Sequence, residues 1–362
     1  MKKFFVSEKY IQHQCYVTRK ALKRRLRRQQ KSLRQKHSFQ GKNRGEIKRI
    51  KDFAQYVFHI RAPLDFRFLE QTEEVVRFFN QLEDARLKRR KTFVVLKDVQ
   101  VIDYGAVSIL LSIVSMFKLQ RIGFNGDFPR NGEAKKLIIE SGFFDCIGDN
   151  KPKDTIEYIA GRENQIVTHA NRKVTPELGI PLMEAASLTV WGEKRINGGL
   201  HSVLMELMQN TNNHASSGVL GEKHWWLSVN HDAKAKKVTF AFVDHGTGIL
   251  TSLGKKPPGS AWEGLAEKVR VTLGVTSNEE FIKALLEGKI HSTITGKAYR
   301  GKGLPNVKRM LDYDRISNLH VVTNNVFGNV AKSQYKLLGV NFQGTFFYWE
   351  LTENNFSKPW NI

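Results

Sequence analysis

Four short segments in the C-terminal half constrain the fold of this 362-residue chain more than any other feature of its sequence. In chain order they are Glu206–Asn210, Asp244–Gly248, Arg300–Leu304 and Gly344–Thr345. They supply a carboxylate with an amide, a strand-ending aspartate with two glycines, a basic glycine-rich loop and a Gly-Thr pair. Each segment alone is weak evidence. Their order and local setting together predict a pocket for a nucleoside triphosphate and its magnesium ion.

The first segment predicts a helix that carries two polar groups on one face. Residues 200–210 are rich in apolar residues and contain neither glycine nor proline. Glu206 and Asn210 are four residues apart, so their side chains lie on the same side of such a helix. A carboxylate can orient or deprotonate water, and an amide oxygen is a hard ligand for Mg²⁺. The alternative is a pair of polar residues on a solvated helix face.

The second segment follows a predicted strand. Residues 237–244 change from alternating to continuous apolar character and end at Asp244. Gly246 and Gly248 permit a tight turn and a close approach of the backbone to a ligand. A buried carboxylate at a strand end can accept a hydrogen bond from an exocyclic amine such as that of adenine. The alternative is an ordinary hairpin turn, since Asp and Gly are common turn residues.

The third segment is a glycine-rich loop that leads into a predicted helix, with Pro305 in its first turn. Free N–H groups at the start of a helix bind phosphate, and the helix dipole strengthens this attraction. The fourth segment predicts a tight turn into a strong strand, with Thr345 as a further binding residue. The residues predicted to bind the nucleotide in the third segment and just before it are Lys297, Arg300, Gly301, Lys302, Gly303 and Leu304.

Together the four segments resemble the motifs of the GHKL superfamily of ATP-binding domains, which includes gyrase, heat-shock chaperones, histidine kinases and mismatch-repair ATPases. The resemblance covers about residues 178–352 and is closest in motif to the anti-sigma-factor kinases. It implies a Bergerat fold, a two-layer α/β sandwich with a mixed sheet that helices cover on one face. It also implies that Glu206 is the general base, that Asn210 holds Mg²⁺ and that Asp244 recognises adenine. Residues 301–304 would contact the phosphates, and residues 249–299 would form a lid.

The middle of the chain predicts a small α/β layer. A β-rich run from residue 93 reaches Asp103, an apolar helix follows, and a short strand leads to a second helix that Gly142 ends. This pattern resembles a STAS domain over residues 57–149. Family members that are phosphorylated carry a serine directly after the aspartate, whereas Tyr104 stands there in this chain. The favoured interpretation is a degenerate STAS-like module that transmits a signal or serves as a scaffold for a protein partner.

The N-terminal region is strongly basic. Residues 1–52 hold 18 Lys or Arg against 3 Asp or Glu, which gives +15 of the chain's net charge of +23. Good helix formers dominate its densest part, so we expect a basic helical arm. Three interpretations remain open: a nucleic-acid-binding arm, a helix that docks on an acidic protein, and a solvated arm without a specific ligand. Large apolar residues are too few for deep membrane insertion.

These patterns divide the chain into an arm, two domains, a linker and a tail. The expected bounds are 1–56 for the arm, 57–149 for the STAS-like domain, 150–177 for the linker, 178–352 for the ATP-binding domain and 353–362 for the tail. The apolar stretch 101–117 contains Asp103 and is shorter than the roughly 20 residues of a membrane span. The N-terminus lacks the apolar segment of a signal peptide, so we expect a cytoplasmic protein.

Three functions fit these features. The first is a Mg²⁺-dependent ATPase switch that couples its nucleotide state to a partner. The second is an anti-sigma-type serine/threonine kinase that acts on a separate partner. The third is a non-enzymatic ATP sensor that binds nucleic acid through residues 1–52. All three use ATP and Mg²⁺, and a homodimer is expected by analogy with other GHKL ATPases.

Overall fold

The computed structural model describes residues 58–141, 169–171, 179–214, 225–254, 270–271, 274–289 and 303–359. The chain groups into two compact units, Met1–Gln55 and Tyr56–Ile362. The predicted basic arm lies outside the described residues. The described part of the second unit combines helices with parallel and antiparallel sheets, which confirms the predicted α/β class.

The N-terminal part of this unit alternates strands and helices, as predicted. Strands β1, β3 and β5 form a parallel sheet in that order, and the short strands β2 and β4 pair in parallel beside it. We call this region the N-terminal layer. Its elements are β1 Phe58–Arg61, β2 Asp65–Phe66, α1 Thr72–Leu87, β3 Thr92–Val95, β4 Val101–Ile102, α2 Tyr104–Leu119, β5 Phe124–Gly126 and α3 Gly132–Glu140.

Helix α2 accounts for the apolar stretch 101–117. It begins after Asp103, whose carboxylate accepts hydrogen bonds from the N–H groups of Ala106 at 2.7 Å and Phe68 at 2.8 Å. Burial raises the pKa of Asp103 to about 7, against the opposing effect of its backbone hydrogen bonds. Nearly every side chain of α2 is buried, which explains its continuous apolar character. No helix in the described part of the chain is long and apolar enough to cross a membrane.

The C-terminal part is built on a five-stranded sheet in the order β10-β11-β9-β8-β6. The resemblance implied a mixed sheet, whereas the four described pairings in this sheet are all antiparallel. Strands β7 and β12 form a separate antiparallel pair. The elements are β6 His169–Asn171, α4 Gly179–Trp191, β7 Arg195–Ile196, α5 Gly198–His214, β8 Trp225–Asp232, β9 Lys237–Asp244, α6 Ile249–Gly254, α7 Asn278–Leu286, α8 Gly303–Asp312, β10 Ser317–Asn329, β11 Gln334–Thr352 and β12 Lys358–Pro359.

Both faces of this sheet are covered. Along β9, Phe240 and Phe242 join a core with helices α4, α5, α7 and α8, whereas Ala241 and Val243 join the core of the N-terminal layer. This division follows from the alternation of side chains along a strand. The rings of Phe68 and Phe346 lie in the core of the N-terminal layer, with their centroids 4.8 Å apart. The N-terminal layer therefore shares a continuous apolar core with the sheet.

Parts of the predicted linker and tail also belong to this architecture. His169–Asn171, within residues 150–177, form the edge strand β6, which pairs with β8. Within the predicted tail, Lys358–Pro359 form β12, which pairs with β7. Both segments are too short and polar for a periodic pattern to reveal them, because their strand conformation depends on distant partners.

Candidate functional site

Glu206, Asn210 and Gly303 form the first cluster of predicted site residues, here called the helix-end group. Helix α5 presents Glu206 and Asn210 toward the first residue of α8. A methyl group on Gly303 would lie 2.9 Å from Glu206 Oε2 and 3.4 Å from Asn210 Oδ1. Both polar side chains therefore lie at the amino end of α8, where unpaired N–H groups and the helix dipole attract anions.

The start of α5 is fixed by a residue that the sequence analysis missed. Asn197 Oδ1 accepts hydrogen bonds from the N–H groups of Gly199 at 3.0 Å and Leu200 at 3.2 Å. Its amide also donates to the carbonyl of Arg315 at 2.7 Å. Asn197 is fully buried, so it caps the helix and ties it to the chain that follows α8. An asparagine just before a helical pattern is a capping signal that the sequence offered.

The side chain of Asn210 has spare hydrogen-bonding capacity. Its Nδ2 atom is buried and has no hydrogen-bond partner among the described residues. Amide oxygen and nitrogen are assigned from the hydrogen-bond network, so the unbonded atom can equally be the oxygen that Mg²⁺ requires. The donor chemistry of Asn210 thus fits a magnesium ligand.

Glu206 has the electrostatic character of a proton acceptor. Partial burial raises the pKa of its carboxyl group, and Arg309 on α8 opposes this rise. A carboxylate with a raised pKa is a better base toward water than one in bulk solvent. Glu206 is only partly buried, so water can reach it.

The second cluster, the strand-end group, comprises Asp244, Gly246, Gly248 and Thr345. Asp244 ends β9 and is paired with Trp225 on β8 and with Thr345 on β11. Its Oδ1 atom accepts a hydrogen bond from the Gly246 N–H at 2.9 Å. Burial raises the pKa of Asp244 to about 6, and hydrogen bonds from Gly246 and Thr345 oppose the rise. The carboxylate is thus held by hydrogen bonds at the end of a largely buried strand.

Gly344 lies against the main chain of Asp244. Its φ is +116°, and a methyl group there would come within 1.9 Å of the Asp244 carbonyl oxygen. The tight turn predicted at this point is wrong, since β11 runs through Gly344 as a single strand. The pairing with β10 instead shifts between Thr323 and Asn324, which marks a bulge. A bulge with a residue at positive φ favours glycine, as some tight turns do, and local sequence does not separate the two.

Two strand residues that the sequence analysis missed hold the turn after Asp244 in place. Thr323 Oγ1 accepts from the Ile249 N–H at 3.0 Å, and Asn324 Oδ1 accepts from the Leu250 N–H at 2.9 Å. Asn324 also donates to the carbonyl of Thr247 at 3.0 Å. A methyl group on Gly248, whose φ is +78°, would lie 2.5 Å from the Asn324 side chain. Asparagine is uncommon inside strands, and this was the available signal.

The two groups are joined by a small apolar cluster. Leu304, next to Gly303 on α8, packs with Ile249 and Leu250 of α6 on a set of buried residues from α7. Those α7 residues are Phe281, Ala284 and Leu285. Helices α6 and α7, which fall within the predicted lid, are therefore packed elements that link the strand-end group to the start of α8.

His245, next to Asp244, connects the site with the N-terminal layer. Its Nε2 atom lies 2.7 Å from Ser112 Oγ of helix α2, and its ring meets Trp226 edge-on at 5.3 Å. Burial and, to a smaller extent, the charge of Arg86 lower the pKa of His245 to about 3. The histidine is therefore neutral at physiological pH. Local sequence patterns do not reveal the contact between His245 and Ser112, because the two residues are distant in the chain.

The remaining predicted site residues fall elsewhere. Lys297, Arg300, Gly301 and Lys302 lie outside the described residues. Within the part of the chain that the structure describes, no three His, Cys, Asp or Glu side chains cluster as a metal-ligand set. The predicted magnesium contact thus rests on the amide side chain of Asn210.

No match was found to a known protein family, to a curated protein or to a solved structure. The resemblance to GHKL domains therefore rests on the sequence motifs alone.

Proposed function

We propose that this protein binds ATP with Mg²⁺ in a GHKL-type domain and acts as an ATPase switch. The observation that carries the proposal is the meeting of Glu206 and Asn210 with the amino end of α8 at Gly303. Gly303 is distant in sequence from Glu206 and Asn210, and their meeting supports the proposed combination of a base, a metal ligand and a phosphate-binding helix end. The strand-end group supplies a separate carboxylate for the adenine.

Each residue has a distinct task in this proposal. Asp244 accepts a hydrogen bond from the adenine amine, while Gly246 and Gly248 let the backbone approach the base. The start of α8 holds the phosphates, and Glu206 takes a proton from the attacking water. Asn210 would hold Mg²⁺, which neutralises phosphate charge when bound. Catalysis then depends on positioning and charge more than on covalent chemistry.

The N-terminal layer is proposed to act as a STAS-like module that responds to the nucleotide. It packs on the sheet face opposite α5 and α8, and its Ser112 reaches the residue next to Asp244. A change at Asp244 on nucleotide binding therefore has a short route to helix α2. A protein partner that contacts this layer could sense the change.

Hydroxyl groups in the N-terminal layer argue for water as the phosphate acceptor. Ser108 and Ser112 are buried and donate to backbone carbonyls of α2 at 2.6 Å. Tyr104 stands after Asp103, where phosphorylated STAS proteins carry serine. Phosphorylation of a separate partner remains the second candidate, because it needs no acceptor in this layer.

Turnover of γ-labelled ATP with product analysis tests these proposals. The ATPase proposal expects label in free phosphate, and Glu206→Ala should lower turnover at least about a hundredfold while ATP binding persists. Gln209→Ala is the matched control, since Gln209 is exposed on the same helix. Label on an added protein partner would establish a kinase. Tight binding without turnover in the wild type would leave a nucleotide sensor.

A further inference from the structure

One end of the N-terminal layer is strongly basic. Strands β1, β3 and β5 begin side by side there, since Phe58 pairs with Thr92 and Thr92 with Phe124. Helices α1 and α2 end at the same place, because each leads directly into the next strand of this sheet. Asp84 is a neighbouring carboxylate, and Lys88 already binds it at 2.8 Å. The exposed cations of this basic end are Lys88, Arg89, Arg90, Lys91, Lys118 and Arg121.

Two of these arginines occupy equivalent and unfavourable backbone positions. Arg89 and Arg121 have φ values of +52° and +56°, in the left-handed region. Each follows a helix whose end is closed by a pair of backbone hydrogen bonds. At the end of α1, the Arg90 N–H donates to the Ala85 carbonyl at 2.8 Å. At the end of α2, the Ile122 N–H donates to the Phe117 carbonyl at 2.9 Å. Glycine is the preferred residue at this position.

Other helix ends in the described part of the chain use residues better suited to this conformation. Gly192 follows α4 and Gly288 follows α7, with φ of +72° and +75°. Asp314 follows α8, and aspartate tolerates positive φ better than arginine does. A cation near a helix C-terminus is favourable, but Lys88 and Lys118 supply that charge without this conformation. An arginine at both strained positions therefore suggests a function for its side chain.

The arginine side chains are arranged at a common surface. Arg89 donates from its guanidinium to the carbonyl of Gln120 at 3.1 Å, which fixes it beside Arg121. The guanidinium of Arg90 lies 5.1 Å above the Phe58 ring. Guanidinium groups bind phosphates in a bidentate geometry, and cations arrayed at a surface match a polyphosphate chain.

We propose that this basic end binds the phosphate backbone of a nucleic acid. The charge pattern favours a polyanion, and residues 1–52 of the same chain add a net charge of +15. A membrane surface fits less well, since Leu87 and Leu119 are the large apolar side chains exposed there, at 53% and 38%. The proposal extends beyond the nucleotide site and does not depend on ATP hydrolysis.

The test compares three single variants of the full-length protein, namely Arg89→Gly, Arg121→Gly and Lys236→Gly. Lys236 is a matched control, since it is exposed, cationic and left-handed with φ of +48°, and lies on the β8–β9 hairpin. Binding of fluorescent random-sequence RNA and DNA duplexes is followed by anisotropy between about 50 and 200 mM salt. Each arginine variant should reduce the slope of log affinity against log salt by about 0.9. The control should keep the wild-type slope.

Stability separates a binding role from a structural one. Because glycine suits the left-handed position, both arginine variants should have an unchanged or raised Tm while affinity falls. Arg89→Lys should retain the wild-type slope, because the charge is kept. The proposal is overturned if the arginine variants bind duplexes like the control, or if weaker binding comes with a lower Tm. A selective loss of binding to phosphatidylserine vesicles or polyglutamate, with duplex binding intact, would also overturn it.

Discussion

The burial of the ionised Asp244 carboxylate lowers the free energy of unfolding of the protein. Burial raises its pKa to about 6, from an ordinary value of 3.8. The folded state therefore holds a proton that the unfolded state releases near pH 4. Stability is lost as pH rises from about 4 through 6, and the deficit is complete above that range. A residue kept at such a cost is expected to act on a ligand.

Asp244→Asn should therefore weaken ATP binding and stabilise the free protein. We expect affinity to fall about tenfold or more, because a charged hydrogen-bond acceptor is lost. The free energy of unfolding should rise by up to about 3 kcal/mol at pH 8 and by less at pH 5. Calorimetric titration and denaturant melts at the two pH values measure both effects. Equal stability at pH 8, or unchanged affinity, would contradict this assignment.

At the scale of elements, the contact between α5 and α8 creates the helix-end group. Neither helix contains the site alone, since α5 supplies the carboxylate and amide and α8 supplies its amino end. Gly303 permits the close approach, because any side chain there would meet Glu206. Gly303 thus permits the packing of the two helices, and it keeps the start of α8 free of a side chain, as the proposed phosphate binding requires.

Gly303→Ala tests this contact. The added methyl group should displace the Glu206 carboxylate and lower ATP turnover roughly tenfold to a hundredfold, because base and water lose alignment. Stability should change little, since alanine favours the helix. Gly132→Ala is the control: Gly132 also begins a helix, and a methyl group there meets nothing within 4 Å. Steady-state kinetics measure the ATP turnover of both variants. Equal turnover would contradict the role assigned to Gly303.

At the scale of the whole molecule, the five-stranded sheet lies between two apolar cores and contributes side chains to both. The N-terminal layer cannot leave it without exposing Phe68, Phe346 and their neighbours, so we expect one cooperative unfolding transition for the described unit. His245 is a polar contact within this interface, bonded to Ser112. Because burial favours the neutral imidazole of His245, protonation of this side chain at low pH should destabilise the interface.

The pKa of His245 predicts the pH dependence of unfolding. With a folded value of about 3 against 6.5 when exposed, the unfolded state binds the additional proton below about pH 6.5. His245 should therefore contribute a loss of stability on acidification, with a slope of about 1.4 kcal/mol per pH unit between pH 6 and 4, which opposes the contribution of Asp244 over the same range. His245→Gln should remove that contribution. Ser112→Ala should retain it while lowering stability throughout. Urea melts against pH measure the slopes, and identical slopes for wild type and His245→Gln would exclude this role.

The elements near the site were largely predictable, because their signals are local. The apolar run before Asp244 predicted β9, the Gly-free and Pro-free stretch around Glu206 predicted α5, and Pro305 marked the first turn of α8. The bulge at Gly344 was predicted as a turn, since both use positive φ. The hydrophobic pattern along the chain predicts the local conformation of a residue, but it does not predict which distant residue will contact it.

By itself the sequence determined which residues are chemically able to act and on which element each lies. It placed Glu206 and Asn210 on one helix face and Asp244 at a strand end, because spacing along a helix or strand fixes direction. Only the tertiary structure decided that Gly303 meets Glu206, that Asn324 holds the turn at Gly248 and that Ser112 contacts His245. The two members of each pair are far apart in the chain, so the packing of distant elements brought them together, and local patterns carry no record of that packing.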